Sequence, residues 1–228
     1  MKLKTPVIII NFKTYKSATG KNALNLAKIC EKVAKKNKAN IAVAVQDADI
    51  YRVSSNVKIP VLAQHIDDIN FGSHTGATLA EDVRQNGAVG TLLNHSEKRI
   101  PKKTIGRCIK RAKKNRLITI VCAPSASVGK SLFSFNPDFI AVEPPKLIGG
   151  KISVSTAKPE IITKSVHSIC GRKIHLCKNL IVGAGVHTTQ DVKIALELGS
   201  VGVLVASGIT KAKNPEKALA DLVKGLKR

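Results

Sequence analysis

Residues 94–97 read Asn-His-Ser-Glu, directly after the apolar run Gly90-Thr91-Leu92-Leu93. A buried strand ending there would present His95 and Glu97. Two further runs end the same way. Val7-Ile8-Ile9-Ile10 leads into Asn11-Phe12-Lys13, and Phe139-Ile140-Ala141-Val142 leads into Glu143-Pro144-Pro145. An amide, a lysine, a histidine and a glutamate therefore follow apolar strands at their C-terminal ends. In a parallel barrel those ends converge on one mouth, where such residues serve chemistry rather than stability.

Each residue type suggests a task. Glu143 is the candidate base, a carboxylate held on a stiff backbone by Pro144-Pro145. The segment after it, Lys146-Leu147-Ile148-Gly149-Gly150-Lys151, has an apolar pair followed by glycines, which suits a lid that excludes water. His95 is the candidate electrophile. Ser96 and Glu97 resemble a helix start, where backbone N–H groups disfavour an imidazolium. Lys13 is a point charge suited to an anionic substrate, and strand alternation would put Asn11 and Lys13 on one side. Gly183-Ala184-Gly185 and Ala206-Ser207-Gly208 end the last two apolar runs. Glycine-rich turns after strands seven and eight commonly grip phosphate through backbone N–H groups.

The elements that must position these residues can be counted. Eight apolar runs occur: Val7–Asn11, Ile41–Val45, Val61–Gln64, Val89–Asn94, Leu117–Ala123, Phe139–Glu143, Leu180–Gly183 and Val201–Ala206. None alternates polar with apolar, which marks strands buried on both faces. Helical patterns lie between them. Residues 22–36 place Leu26, Ile29, Cys30 and Val33 on one face, and residues 105–112 do the same with Ile105, Cys108, Ile109 and Ala112. Thr188 to Asp191 opens a helix that Gly199 is placed to end, and Asn214-Pro215-Glu216 starts the last one. The alternation predicts an α/β fold, a (β/α)8 barrel formed as one domain by residues 1–228. An open doubly wound sheet is the alternative, but it would place the mouth residues on a line rather than a ring.

Bulk properties add bounds. Hydrophobic residues make up 43% of the 228, enough for a sizeable core. No apolar stretch reaches about 18 residues, so no transmembrane helix is expected. The N-terminus lacks the pattern of a signal peptide, so a cytoplasmic protein is expected. The cysteines, Cys30, Cys108, Cys122, Cys170 and Cys177, are odd in number and scattered, and are expected to be reduced. No metal-ligand spacing and no Walker or G-x-G-x-x-G motif occurs, so no cofactor is expected. The net charge of +23, from 38 basic and 15 acidic residues, raises the possibility of nucleic-acid binding. The cations are spread along the chain and aromatics are scarce. The charge therefore reads as a general surface property, with at most non-specific, salt-sensitive binding to polyanions.

The segments Asn11-Phe12-Lys13, Asn94-His95-Ser96-Glu97, Glu143-Pro144-Pro145, Gly183-Ala184-Gly185 and Ala206-Ser207-Gly208 together resemble the triosephosphate isomerase family in its short archaeal form. The resemblance covers essentially the whole chain. It departs in the lid, where Lys146 replaces a usual acid and Gly150-Lys151 replaces Thr-Gly. It implies interconversion of dihydroxyacetone phosphate and glyceraldehyde 3-phosphate, in glycolysis and gluconeogenesis. It makes Glu143, His95, Lys13 and Asn11 catalytic, with His95 acting as a neutral imidazole, a role for which this family is a standard worked case. Ile148, Gly149, Gly183, Gly185, Ala206 and Ser207 become the substrate and phosphate contacts. Glu97 pairs with Lys13. Thr75, in the loop 64–79, reaches a neighbouring subunit beside its lysine, which implies a dimer or tetramer. Two other readings remain open: another phosphate-binding barrel isomerase or synthase, and a basic nucleic-acid-binding protein on a barrel scaffold.

Overall fold

The computed structural model describes residues 3–144, 159–170 and 179–227. Eight strands close into a barrel in sequence order: β1 (Val7–Asn11), β2 (Asn40–Val45), β3 (Val61–Ala63), β4 (Gly90–Leu93), β5 (Ile118–Ala123), β6 (Phe139–Val142), β7 (Leu180–Val182) and β8 (Gly202–Val205). Every pairing is parallel, and β8 closes on β1 with Val7 opposite Gly202. The ring, rather than the open sheet, is the one formed. Each apolar run from the sequence corresponds to one strand, to within a residue at either end.

Helices pack outside. Among them are α1 (Lys21–Asn37), α2 (Ile50–Ser54), α3 (Ala80–Gln85), α4 (Lys102–Lys114) and α5 (Ala126–Phe133). The expected stripe of α4 is buried as read, while in α1 Ile29 is only half-buried and Ala23, Ala27 and Ala34 complete the face. The helix Thr189–Glu197 begins with a capping box between Thr188 and Asp191, and Gly199 follows it at φ +99. The helix Pro215–Lys224 is capped by Asn214, whose side chain accepts from the Lys217 N–H. Among the described residues no helix is long and apolar enough to cross a membrane.

The core has two layers, and strand parity sorts residues between them. Val7 and Ile9, Ala42 and Ala44, Ile120 and Cys122, Phe139 and Ala141, Ile181 and Leu204 form the inner cluster. Ile8 and Ile10, Val43 and Val45, Val121 and Ala123, Ile140 and Val142 join the outer cluster with the helices. Side chains alternate along a strand. Continuing the inner parity therefore reaches Asn11 at the end of β1, and Glu143, Gly183 and Ala206 one step past β6, β7 and β8. These are the positions that look into the mouth.

Candidate active site

Asn11, Lys13, His95, Glu143, Gly183, Gly185, Ala206 and Ser207 line one pocket at that mouth. The sequence reading thus brought together residues from five strand ends. Asn11 and Glu143 arrive by parity, the first as the last inward position of β1 and the second as the residue just past β6. The other two need a backbone reversal. Lys13 has φ +49 and Asn94, just before His95, has φ +56. Left-handed backbone costs a non-glycine residue on the order of 1–2 kcal/mol, least for asparagine.

Asn11 and Lys13 do share a side, lining the same pocket, but not through the strand alternation expected. β1 ends at Asn11, and Lys13 turns back into the pocket through its left-handed conformation. The Lys13 N–H donates to Asn11 Oδ1 at 3.0 Å, and the Gln64 amide donates to the Lys13 carbonyl at 3.0 Å. Lys13 Nζ then lies 2.8 Å from Glu97 Oε1. Glu97 is well exposed, so the pair contributes little to stability and serves mainly to aim the ammonium.

Asn94 accounts for the placement of His95. Its side-chain amide donates to the Cys122 carbonyl at 2.9 Å, and its Oδ1 accepts from the Ile100 N–H at 3.2 Å. β4 is thereby fastened to β5 where the chain reverses. The expected helix start at Ser96-Glu97 does not form. Those residues make a turn, and α4 begins only at Lys102, after Pro101. One backbone N–H does the work foreseen for a helix terminus: Glu97 N–H donates to His95 Nδ1 at 3.2 Å. Nδ1 is then an acceptor, and the neutral ring carries its proton on Nε2. Burial, then the Lys13 and Arg99 cations against the opposing Glu97, lower the His95 pKa to about 4.

Nε2 points at Glu143, 3.6 Å from Oε1. Glu143 is buried on the inner wall, with its backbone N–H bonded to the Ala123 carbonyl. Burial raises its pKa to about 7, against the weaker pull of the Cys122 thiol and the Arg99 and Lys13 cations. Among the described residues Glu143 Oε2 has no hydrogen-bond partner. A carboxylate neither fully solvated nor fully paired, with a pKa near 7, suits a general base.

The opposite wall is backbone. β7 gives way to Gly183-Ala184-Gly185, with Gly185 at φ +64. β8 gives way to Ala206, whose carbonyl accepts from Ile209 and Thr210 as a short helix begins at Ser207. Ser207 and Gly208 come before those first intrahelical donors, at helix positions whose N–H groups lack intrahelical partners and are able to meet an anion. Asp191 Oδ2 accepts from the His187 and Thr188 N–H groups at 2.9 and 2.8 Å, tying the end of the first loop to the helix Thr189–Glu197.

The sequence reading missed four contributors. Tyr15 and His187 also line the pocket. Gln64 holds the Lys13 backbone, and Cys122 lies under Glu143 on the inner wall. Thr75, in contrast, is exposed and outside its own chain's pocket. Its loop is pinned at the base, where Asp67 N–H donates to the Thr78 carbonyl and Thr78 N–H to Asp67 Oδ2. Ile148, Gly149, Lys146, Gly150 and Lys151 lie outside the described residues.

Residues 6–226 match the sequence model of the family described as Triosephosphate isomerase. A protein of that name from Methanobacterium bryantii is 51% identical over 220 residues, 96% of each chain. Those from Methanothermobacter thermautotrophicus and Methanocaldococcus jannaschii are 49% and 46% identical, each over 96% of this chain and over 95% and 99% of their own. The crystal structure of triosephosphate isomerase from Bartonella henselae superimposes with a TM-score of 0.69, at 19% identity, over 88% of this chain and 92% of its own, a likeness of fold. The chain belongs to the triosephosphate isomerase family, in its archaeal form.

Proposed function

We propose that the chain interconverts dihydroxyacetone phosphate and glyceraldehyde 3-phosphate, as an isomerase of this family, through the four residues gathered at the mouth. The observation that carries the assignment of roles is the facing pair. A buried glutamate with pKa about 7 stands 3.6 Å from the Nε2 of a histidine whose other nitrogen is already occupied.

Glu143 takes a proton from the carbon beside the carbonyl. The C–H electron pair becomes the C=C bond of an enediolate, and the carbonyl π pair moves onto oxygen. His95 donates from Nε2 to that oxygen and recovers a proton from the neighbouring hydroxyl. Glu143 returns its proton to the other carbon. Lys13, held by Glu97, and the Asn11 amide stabilise the developing negative charge. Gly183, Gly185, Ala206 and Ser207, with Ile148 and Gly149, bind the substrate and its phosphate. Proton transfers alone complete the reaction, so no metal or organic cofactor is required.

The chain works as a dimer or tetramer in the cytoplasm, with Thr75 reaching a neighbour's Lys13. Asn11, Lys13, Gln46, Gln64, His95 and Glu97 border a second hollow beside the catalytic pocket, which would receive such a loop. Each added copy brings another +23, so the step from dimer to tetramer is favoured by salt. A coupled assay on purified protein tests the activity. Turnover of either triose phosphate is expected, and its absence from folded protein rejects the function. Sedimentation at low and high salt tests the assembly. A fully active monomer at both would overturn it.

A further inference from the structure

Among the described helices α4 carries the most one-sided charge, and the isomerase chemistry uses none of it. The helix reads KKTIGRCIKRAKK, with seven cations and no acid. The other two described helices with several lysines or arginines, α1 and Pro215–Lys224, contain acids and form ion pairs such as Lys35–Glu31 and Lys217–Asp221. In α4, Arg107 pairs with Asp68 and Arg111 with Glu81, both outside the helix. Lys102 lies over the Phe135 ring. Lys103, Lys110, Lys113 and Lys114 are exposed, and among the described residues none forms an ion pair.

This arrangement works against the isolated helix. Lys103 and Arg107, Arg107 and Arg111, and Lys110 and Lys114 are like charges four apart, which repel across a turn. Lys102 and Lys103 occupy the first turn, at the positive end of the helix dipole. Lys103, Lys110 and Lys114 fall in one line along the axis, about 16 Å long at 1.5 Å per residue. A partner that spreads negative charge along a rod relieves all of these repulsions at once.

We propose that this face docks the phosphate backbone of duplex nucleic acid, without reading its sequence. Duplex DNA carries roughly one charge per 1.7 Å of axis, dense enough to meet every lysine on the line. The helix's apolar side is spent on the barrel core, so no apolar face is left to enter a bilayer. No aromatic residue lies on α4, so the stacking that selects single strands is missing.

The test is anisotropy of a labelled short duplex of random sequence, titrated with protein from about 50 to 200 mM salt. Three proteins are compared: the unaltered chain, Lys103→Gln/Lys110→Gln/Lys114→Gln, and a control with equal charge loss on α1, Lys21→Gln/Lys28→Gln/Lys36→Gln. The α4 variant should lose the duplex at the upper salt and flatten the slope of log K against log salt by roughly three, at about 0.9 per phosphate contact. The α1 control should change the slope by less than about one. Isomerase turnover should be unaltered in both, and neither variant should lose thermal stability, which separates this proposal from the catalytic one. Equal losses in the two variants would show that net charge alone binds, and would overturn it. So would an absence of binding at the lowest salt. Displacement by polyglutamate as effective, charge for charge, as unlabelled duplex would also overturn it, by making the surface a site for acidic peptide.

Discussion

A β-carbon built on Gly183 would lie 2.5 Å from Cγ of Glu143 and 3.1 Å from its Oε1. The φ of Gly183 is not positive, so the backbone would accept another residue. The missing side chain is instead the space in which the base stands. Val142 pairs with Val182 across β6 and β7, which brings the next residues of both strands side by side.

Gly183→Ala should therefore act on the base rather than on phosphate binding. A displaced carboxylate loses its near-attack geometry, and a misplacement of about 1 Å can cost on the order of 100-fold in rate. We expect kcat to fall by about that factor while KM changes little. Steady-state kinetics decide: an increased KM at unchanged kcat would place Gly183 in the phosphate grip alone.

The pH dependence of turnover should report Glu143. With its pKa near 7, kcat/KM should fall tenfold per unit as pH drops below about 7. A phosphate-free two-carbon aldehyde, followed by proton exchange in heavy water, removes the titration of the substrate itself. A profile flat down to pH 5 would mean that the carboxylate is not buried as described.

The same shift predicts a stability change of defined sign. Glu143 is raised from 4.5 to about 7, so the folded chain holds its proton more tightly than the unfolded one. The neutral form is favoured, and stability falls as pH rises from about 4.5 through 7. His95, lowered from 6.5 to about 4, acts oppositely and costs stability as pH falls through that window. Glu143→Gln removes only the first effect. Its thermal midpoint should exceed that of the unaltered chain at pH 8, by an amount equivalent to roughly 3 kcal/mol, and the gap should close by about pH 4.5. A gap independent of pH would point to packing instead.

His187 offers a separate check on the phosphate wall. It borders the pocket, and its Nδ1 lies 3.8 Å from where a β-carbon on Gly208 would sit. Contact with the non-reacting phosphate supports ground state and transition state alike. His187→Ala should therefore raise KM about three- to tenfold with kcat retained. Weaker inhibition by inorganic phosphate should accompany it. A loss confined to kcat would contradict this.

What could be seen in the sequence followed from local pattern. Unbroken apolar runs located all eight strands, because a strand buried on both faces has little room for polar side chains. Asn11, His95, Glu143 and the two glycine turns were legible as strand-end residues. The errors arose where geometry overrides pattern. Strand alternation does not extend past Asn11, because Lys13 turns left-handed. The helix expected at Ser96 is postponed to Lys102, and a single turn amide at Glu97 replaces it. Gln64 and Cys122 gave no local signal, and Gly183 was legible only as part of a glycine turn and not as the space for the base, since these roles depend on which strand lies beside which. Tyr15 and His187 join the site only once the loops are folded over it.

The inner and outer parities of the strands carry a further consequence for how such a chain can change through descent. Replacing one letter of β6 alters one contact, but deleting one letter would rotate Glu143 from the lumen to the helix layer while leaving composition almost untouched. The reactive groups are thus written in the length of each strand as much as in its spelling. Insertions are absorbed in the connecting loops, whereas within the ring the count of residues is itself inherited.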